Sequence, residues 1–303
     1  MDKAELIEEI KKLKKEKNAV ILAHSYQNIE VDEVADFVGD SLELSRKAKN
    51  TDASVIVFAG VYFMAETAKL LSPEKKVLIP RRESSCEMAD MITGQKLRDF
   101  KAKYPSVPVV CYINSTAEVK SLSDICCTSS NAVKVVEAVE SKDVLFVPDR
   151  NLAAYVQSKV KDKNIIAFDG CCPIHDQLTA DDVQEQRAAH PNAILLAHPE
   201  CRKEVLDRAD FIGSTKSIFE YVKQSSEKEF IIATETGVVE RLQRDYHNKK
   251  FWLISKKAVC KNMKYTTLGD ILQSLQNDFF EITISQETAQ RAALTIERML
   301  KIS

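Results

Sequence analysis

Three stretches decide the fold: KVLIPRRESSC (76–86), NIIAFDGCC (164–172) and FWLISKKAVC (251–260). Each is an apolar, strand-like run that ends at a cysteine, and seven residues beyond that cysteine a threonine opens a helix-like run. The pairs are Cys86 with Thr93, Cys172 with Thr179 and Cys260 with Thr267, at steps of 86 and 88 residues. Other landmarks keep the step. AVILAH, VPVVCY and AILLAH end at His24, Tyr112 and His198, and DFVGDS, DICCTS and DFIGST end at Ser41, Ser129 and Thr215. Self-similarity at a long fixed period indicates one supersecondary unit copied and packed against itself. Three copies about a pseudo-threefold axis would bring three equivalent cysteines to one point, and three thiolates at one point make a metal site.

Within each copy, helical and strand-like segments alternate. The first opens with an amphipathic helix over 3–16 (Leu6, Ile7, Ile10, Leu13). Strands follow at 19–23, 54–59 and 76–80, with helices around 31–37, 41–49 and 62–71. The second copy has helices at 93–103, 116–121, 129–140 and 151–161 and strands at 107–113, 143–147 and 164–168. The third has helices at 179–189, 202–207, 215–223 and 236–246 and strands at 193–197, 229–233 and 250–254. Helices at 267–277 and 286–301 close the chain. Continuous apolar strands separated by helices imply parallel sheets covered on both faces. The expected fold is α/β, with three repeated three-layer αβα sandwich domains holding small parallel sheets of three or four strands. A single eight-stranded barrel would repeat at roughly 30 residues instead. The expected boundaries are 1–86, 87–172 and 173–260, with the closing helices of 267–303 packed on the first unit.

Composition bounds the function. The chain has 303 residues, 45% hydrophobic and 29% charged, with a net charge of −2, which is ordinary for a globular protein. That balance supplies no basic field for nucleic acid. No apolar run is long enough to span a membrane, and residues 1–17 are too charged for a targeting peptide. A cytoplasmic location is therefore expected. A reducing compartment disfavours disulfides among the eight cysteines. Cys111 and Cys126 read as small core residues.

In doubly covered parallel sheets, ligands bind beyond the carboxyl ends of the strands. Those ends carry His24-Ser25-Tyr26, Tyr112-Ile113-Asn114 and His198-Pro199-Glu200. A lone histidine there is usually structural. Three matched positions with differing acid–base character suit an asymmetric ligand near a symmetric axis. Ser41, Ser129 and Thr215 fall at helix starts. Each alone reads as an N-cap, and together they form a plausible anion-binding rim.

The segments AHSYQ (23–27), FVGDS (37–41), FMAE (63–66), YINSTAE (112–118), TSSNAV (128–133), PDRNLA (148–153), CPIH (172–175), HPEC (198–201), GST (213–215), TETG (234–237) and AVCKNMK (258–264) resemble the quinolinate synthase family. The resemblance runs from about residue 18 to about residue 275. It implies a 4Fe–4S cluster on Cys86, Cys172 and Cys260 with one iron open to substrate, consistent with thiolate ligation of such clusters. It implies condensation of iminoaspartate with dihydroxyacetone phosphate to quinolinate, phosphate and water, for NAD biosynthesis. An aspartate oxidase or dehydrogenase would supply the iminoaspartate. His24, Ser41, Tyr112, Ile113 (through its backbone), Asn114, Ser129, His198, Pro199, Glu200 and Thr215 would hold the substrate. Tyr26 and Glu200, then His198, would move protons. The open iron would act as a Lewis acid.

The chain departs from the family pattern at Ser25, where asparagine is commoner, at Tyr62, where aspartate is, and at Cys171, where histidine is. Cys171 is thus an alternative ligand to its neighbour, although the CPIH match and Pro173 favour Cys172. Two other classes stand beside this reading. One is a Cys-ligated zinc hydrolase. The other is a non-catalytic three-lobed anion binder, in which the cysteines would be dispensable.

Overall fold

The computed structural model describes residues 1–302. The first sheet is built from α1 (Lys3–Glu16), β1 (Ala19–His24), β2 (Phe37–Gly39), α2 (Ser41–Asn50), β3 (Val55–Ala59), α3 (Tyr62–Leu71) and β4 (Lys76–Leu78). The second follows with α4 (Glu87–Met91), α5 (Gly94–Ala102), β5 (Val109–Tyr112), α6 (Ala117–Ser121), β6 (Ile125–Cys127), α7 (Ala132–Ala138), β7 (Asp143–Val147), α8 (Arg150–Lys159) and β8 (Asn164–Ala167). The third comprises α9 (Pro173–Asp176), α10 (Ala180–Ala189), β9 (Ile194–Ala197), α11 (Lys203–Leu206), β10 (Phe211–Ile212), α12 (Thr215–Gln224), β11 (Glu229–Ala233), α13 (Thr236–Asp245) and β12 (Lys250–Leu253). The chain closes with α14 (Lys261–Lys264), α15 (Leu268–Asn277) and α16 (Gln286–Ile302).

All strand pairs in the sheets are parallel, and the three sheets share one order: β2-β1-β3-β4, β6-β5-β7-β8 and β10-β9-β11-β12. The fold is α/β with three repeated αβα layers. Each sheet has four strands, within the expected three or four, and the apolar runs located three of them. The additional strands, β2, β6 and β10, lie in the DFVG, DICC and DFIG landmarks. The aspartate that opens each landmark explains it. Asp36, Asp124 and Asp210 accept the backbone N–H of Ile21, Val109 and Leu195 at 2.8, 2.7 and 2.7 Å, pinning a two- or three-residue edge strand beside the central one. The helix expected around 31–37 is correspondingly a short 3-10 turn, Ile29–Glu33, before β2.

Thr93, Thr179 and Thr267 are the N-caps of α5, α10 and α15, each hydroxyl accepting the N–H three residues on at 3.2 Å. The sheets bury both faces. Ile21, Val57 and Leu78 of the first sheet face α1 and α15 through Ile7, Ile10, Ile271 and Leu275. Its other face shares a core with the second sheet, where Leu22, Ile56, Val110 and Phe146 join Ala292, Ile296 and Met299 of α16. The closing helices therefore separate. α15 packs on α1 and β3, whereas α16 packs mainly on α6 and β6 and less on α3, a correction to the expectation that both lie on the first unit. Ser303, the end of that expected range, lies outside the described residues. Among the described residues no helix is long and apolar enough to cross a membrane.

Candidate functional site

The carboxyl ends of the three sheets open into one cavity that is partly open to solvent. A concave pocket with a few convergent polar groups is the usual form of a small-molecule site. Cys86, Cys172 and Cys260 all line it, as do His24, Tyr26, Ser41, Tyr112, Asn114, Ser129, His198, Glu200 and Thr215. Two expected residues stand apart. Pro199 is buried behind the wall. Ile113 was expected to act through its backbone, but its N–H donates to Cys127 O and its carbonyl accepts Ser115 N–H, both at 2.8 Å. Cys171 does not line the cavity, which leaves Cys172 as the facing thiol of the pair.

The three cysteines are N-cap residues of the short helices α4, α9 and α14, in extended backbone conformation. They are also the three partly exposed cysteines of eight; the other five are buried. Burial pushes the Cys86 thiol up to about 12, against the pull of the Ala89 and Met88 N–H groups. It pushes Cys260 up to about 11, and Cys172 well up, with the Glu200 carboxylate adding to the effect on Cys172. Such thiols surrender their protons to a bound metal rather than to water. One donor set here suits a metal by proximity alone: an atom each from Cys172, His175 and Glu200 lie within 4.8 Å of one another.

His175 is the principal site residue that the sequence reading did not single out. It stands one helical turn after Cys172, and its buried ring stacks on His198 with centroids 4.8 Å apart. Its Nδ1 lies 2.8 Å from Glu200 Oε2 and 3.2 Å from Cys172 Sγ, and its Nε2 lies 2.9 Å from Thr234 Oγ1. Thr234 in turn lies 2.8 Å from the Tyr26 hydroxyl, which is 3.1 Å from Thr215 Oγ1. A continuous hydrogen-bonded chain thus runs Thr215–Tyr26–Thr234–His175–Glu200.

The ionisation states follow from burial and neighbours. Burial drives His24 and His198 down to about 3, so both imidazoles are neutral; Arg241 helps in the first case. His24 Nδ1 accepts the Tyr26 N–H at 3.2 Å and His198 Nδ1 accepts the Glu200 N–H at 3.4 Å, so each ring proton sits on Nε2. Burial opposes ionisation of Glu200, yet hydrogen bonds from His175 and the Tyr112 hydroxyl favour it and hold its carboxyl below the usual range. Burial, reinforced by Glu200, raises the Tyr26 phenol well above its usual range. Glu200 Oε1 and Asn114 Oδ1 are buried without a protein partner, a costly state that a bound ligand would relieve.

The rim hydroxyls are placed differently from the N-cap expectation. Ser41 and Thr215 occupy the first helical positions of α2 and α12, because Asp40 and Ser214 before them are the caps. Ser129 sits in the turn before α7, whose cap is Asn131. The change frees all three hydroxyls from capping while keeping them on the cavity wall. Asp40, which spans repeats by accepting from Ser130 Oγ at 3.1 Å, joins the lining unforeseen.

A family model described as quinolinate synthetase A protein matches residues 8–301. The chain is 50% identical over 302 residues to the quinolinate synthase of Alkaliphilus metalliredigens, covering 100% of both chains. It is 53% identical over 298 residues to quinolinate synthase 2 of Methanosarcina acetivorans, covering 98% of this chain and 96% of that one. It is also 53% identical over 294 residues to the quinolinate synthase of Dehalococcoides mccartyi strain 195, covering 97% of each. With a family match over nearly its whole length and full-length relatives sharing half its residues, the chain belongs to the quinolinate synthetase A protein family.

Proposed function

We propose that the chain is a quinolinate synthase acting in NAD biosynthesis, condensing iminoaspartate with dihydroxyacetone phosphate, and that Cys86, Cys172 and Cys260 hold a 4Fe–4S cluster with one iron open. The observation that carries this reading is the convergence of the three partly exposed cysteines on the cavity holding the Tyr26–Glu200 chain. The donor set is right for iron–sulfur ligation, and the unpartnered Glu200 Oε1 and Asn114 Oδ1 fit a group yet to be bound. When bound, such a cluster supplies a Lewis-acidic iron that polarises a substrate oxygen. The zinc-hydrolase and anion-clasp alternatives draw no support from the family match.

The protein's own groups divide the remaining work. Ser41, Ser129 and Thr215 offer hydroxyl donors to carboxylate or phosphate oxygens, and the neutral His24 and His198 offer Nε2–H donors. Glu200, held ionised, is the base, with Oε1 free to accept a substrate proton. His175 orients it through Nδ1. Tyr26, un-ionised, is the proton donor, and Thr234 and His175 connect it to Glu200 so that a proton accepted at one end can be restored at the other.

Anaerobic iron and sulfide analysis with an absorption spectrum tests the cluster. Cys86→Ser, Cys172→Ser and Cys260→Ser should each lose it, while Cys111→Ser, Cys126→Ser and Cys201→Ser keep it. Tyr26→Phe and Glu200→Gln should keep it and lose turnover by ~10²–10⁴-fold. Full iron content in Cys260→Ser, or near-parental turnover in both Tyr26→Phe and Glu200→Gln, overturns the assignment.

A further inference from the structure

Two of the three cysteine loops are tied down by a buried carboxylate, and the third is not. Asp149 is fully buried and caps α8, its Oδ1 accepting the N–H of Asn151 at 2.7 Å and of Leu152 at 2.8 Å. Its other oxygen, Oδ2, accepts the N–H of Cys172 at 3.1 Å. Glu235 stands 86 residues later and repeats the arrangement. It is fully buried and caps α13, with Oε2 accepting Gly237 N–H at 2.7 Å and Oε1 accepting Cys260 N–H at 3.2 Å. The corresponding position in the first repeat, 88 residues before Asp149, is Val61, which caps α3 without a side-chain bond. The backbone frame is the same in all three. Tyr62, Arg150 and Thr236 donate their N–H to Ser84, Gly170 and Ala258 at 2.7, 2.8 and 2.8 Å. What differs is the carboxylate.

A helix cap alone does not call for this. Serine, threonine or asparagine would cap α8 and α13 without burying an acidic side chain, and burying an acidic group is costly unless each oxygen is well bonded. Each carboxylate here turns its second oxygen to a cysteine amide, and Glu235 Oε1 also pairs with Lys264 Nζ at 3.7 Å. The Cys86 loop is held from elsewhere, with Asn262 Nδ2 donating to Ser85 O at 3.0 Å from α14, the short helix that Cys260 caps.

We infer that Asp149 and Glu235 are positioning residues that fix the backbone of two metal-ligating cysteines, Cys172 and Cys260, through their amide N–H groups. The inference rests on the reading that these cysteines hold the cluster. Outer residues that orient metal ligands typically change metal affinity by about 10–100-fold when removed. Asp149 and Glu235 fill that role through the main chain. The pinned pair forms a prearranged edge to which Cys86, on its separately tied loop, adds the third ligand.

The test separates capping from pinning. Serine in Asp149→Ser or Glu235→Ser keeps a capping oxygen but is too short and has too few acceptors to hold the cysteine amide as well. Asp149→Asn keeps the shape and turns its amide NH₂ against the Cys172 N–H. Anaerobically prepared holoprotein is challenged with an iron chelator, and iron loss is followed by absorbance. Loss should accelerate about 10–100-fold in all three variants. Thr93→Ala, which removes a helix cap that bonds the Lys96 N–H and no cysteine amide, should match the parent. Hydrogen exchange on metal-free protein should show faster exchange at Cys172 in Asp149→Ser and at Cys260 in Glu235→Ser. Parental iron retention in the Asp149 and Glu235 variants overturns the inference, as does equal acceleration in Thr93→Ala. A parent that binds no iron overturns the cluster reading instead. The exchange measurement then still decides the pinning, and unchanged exchange at both cysteines refutes it.

Discussion

Arg241 offers the sharpest quantitative test of how the site is assembled from separate repeats. It lies on α13, is 2% exposed, and donates from Nη1 to Ser25 O at 2.7 Å, Gln27 O at 3.0 Å and Gly237 O at 3.3 Å, while Nη2 pairs with Asp32. The segment it grips carries Tyr26 and follows His24, so a residue of the third repeat fixes cavity-lining groups of the first. The approach is close enough that a Cβ at Gly237 would lie 2.8 Å from Ser25 O. Arg241→Met preserves bulk and removes the donors. Two well-made bonds from a charged donor are worth about 1.5–3 kcal/mol each. Asp32 retains Arg244 at 2.7 Å and is not left without a countercharge, so the loss is that of the two bonds, about 3–6 kcal/mol. The neighbouring Arg244 side chain is 45% exposed, and Arg244→Ala should cost below about 1 kcal/mol. Urea unfolding at matched iron content measures both. Quinolinate binding, by calorimetry, should weaken in Arg241→Met because His24 and Tyr26 lose their seat. A loss in Arg241→Met no larger than in Arg244→Ala would refute the clamp.

The rim and the buried histidines give further expectations. Ser41→Ala, Ser129→Ala and Thr215→Ala should each weaken quinolinate binding by about 1–3 kcal/mol, the value of a bond to a charged group, with iron content unchanged; parental affinity in all three would remove the rim. Burial, with help from Arg241, holds His24 at about 3 against an ordinary 6.5. Between those values the unfolded chain binds the extra proton, so stability is complete above about 6.5 and falls as the pH drops toward 3, by about 1.4 kcal/mol per pH unit per histidine. His198 contributes in the same direction. Urea unfolding of His24→Gln across the acid range should show a slope shallower by one such increment, and an unchanged slope would show that His24 is not held neutral.

The long-period features were legible because the repeat states them three times. The cysteine–threonine spacing located the three cavity-lining thiols and the caps of α5, α10 and α15, and the strand tips located most of the cavity wall. What escaped has physical reasons. β2, β6 and β10 hold two or three residues each, too few to show periodicity, although the aspartate opening each landmark was a readable anchor. The Ser41 and Thr215 positions shifted by one because Asp40 and Ser214 are themselves good caps, and Asp40 forms a capping box with Glu43 that the sequence displayed. α16 presents an apolar stripe that any covered sheet would accept, so sequence pattern does not choose its partner. His175 sits in the quoted CPIH segment, but its role depends on Thr234 and Glu200, 59 and 25 residues away, which no local spacing reports.

Equivalence and divergence serve different parts of the site. The cysteines are alike, each presenting its thiol to the cavity from the start of a short helix, and the repeats keep them alike. Acid–base work requires difference, and the matched positions supply it: Tyr26, Asn114 and Glu200 occupy one place, and His24, Tyr112 and His198 another. The divergence is concentrated rather than scattered. Glu200, His198, Thr234 and Glu235 come from the third sheet, and His175 from the helix that leads into it, while the first sheet contributes Tyr26 and His24 on a loop gripped by Arg241. The second sheet offers neutral partners, Tyr112 and Asn114, and shares its core with the first. A symmetric scaffold can therefore hold an asymmetric site, because its hydrogen-bonded acid–base side chains sit along a single seam between the first and third repeats. Arg241, the Tyr26–Thr234 bond and the Asn262–Ser85 bond all cross that seam.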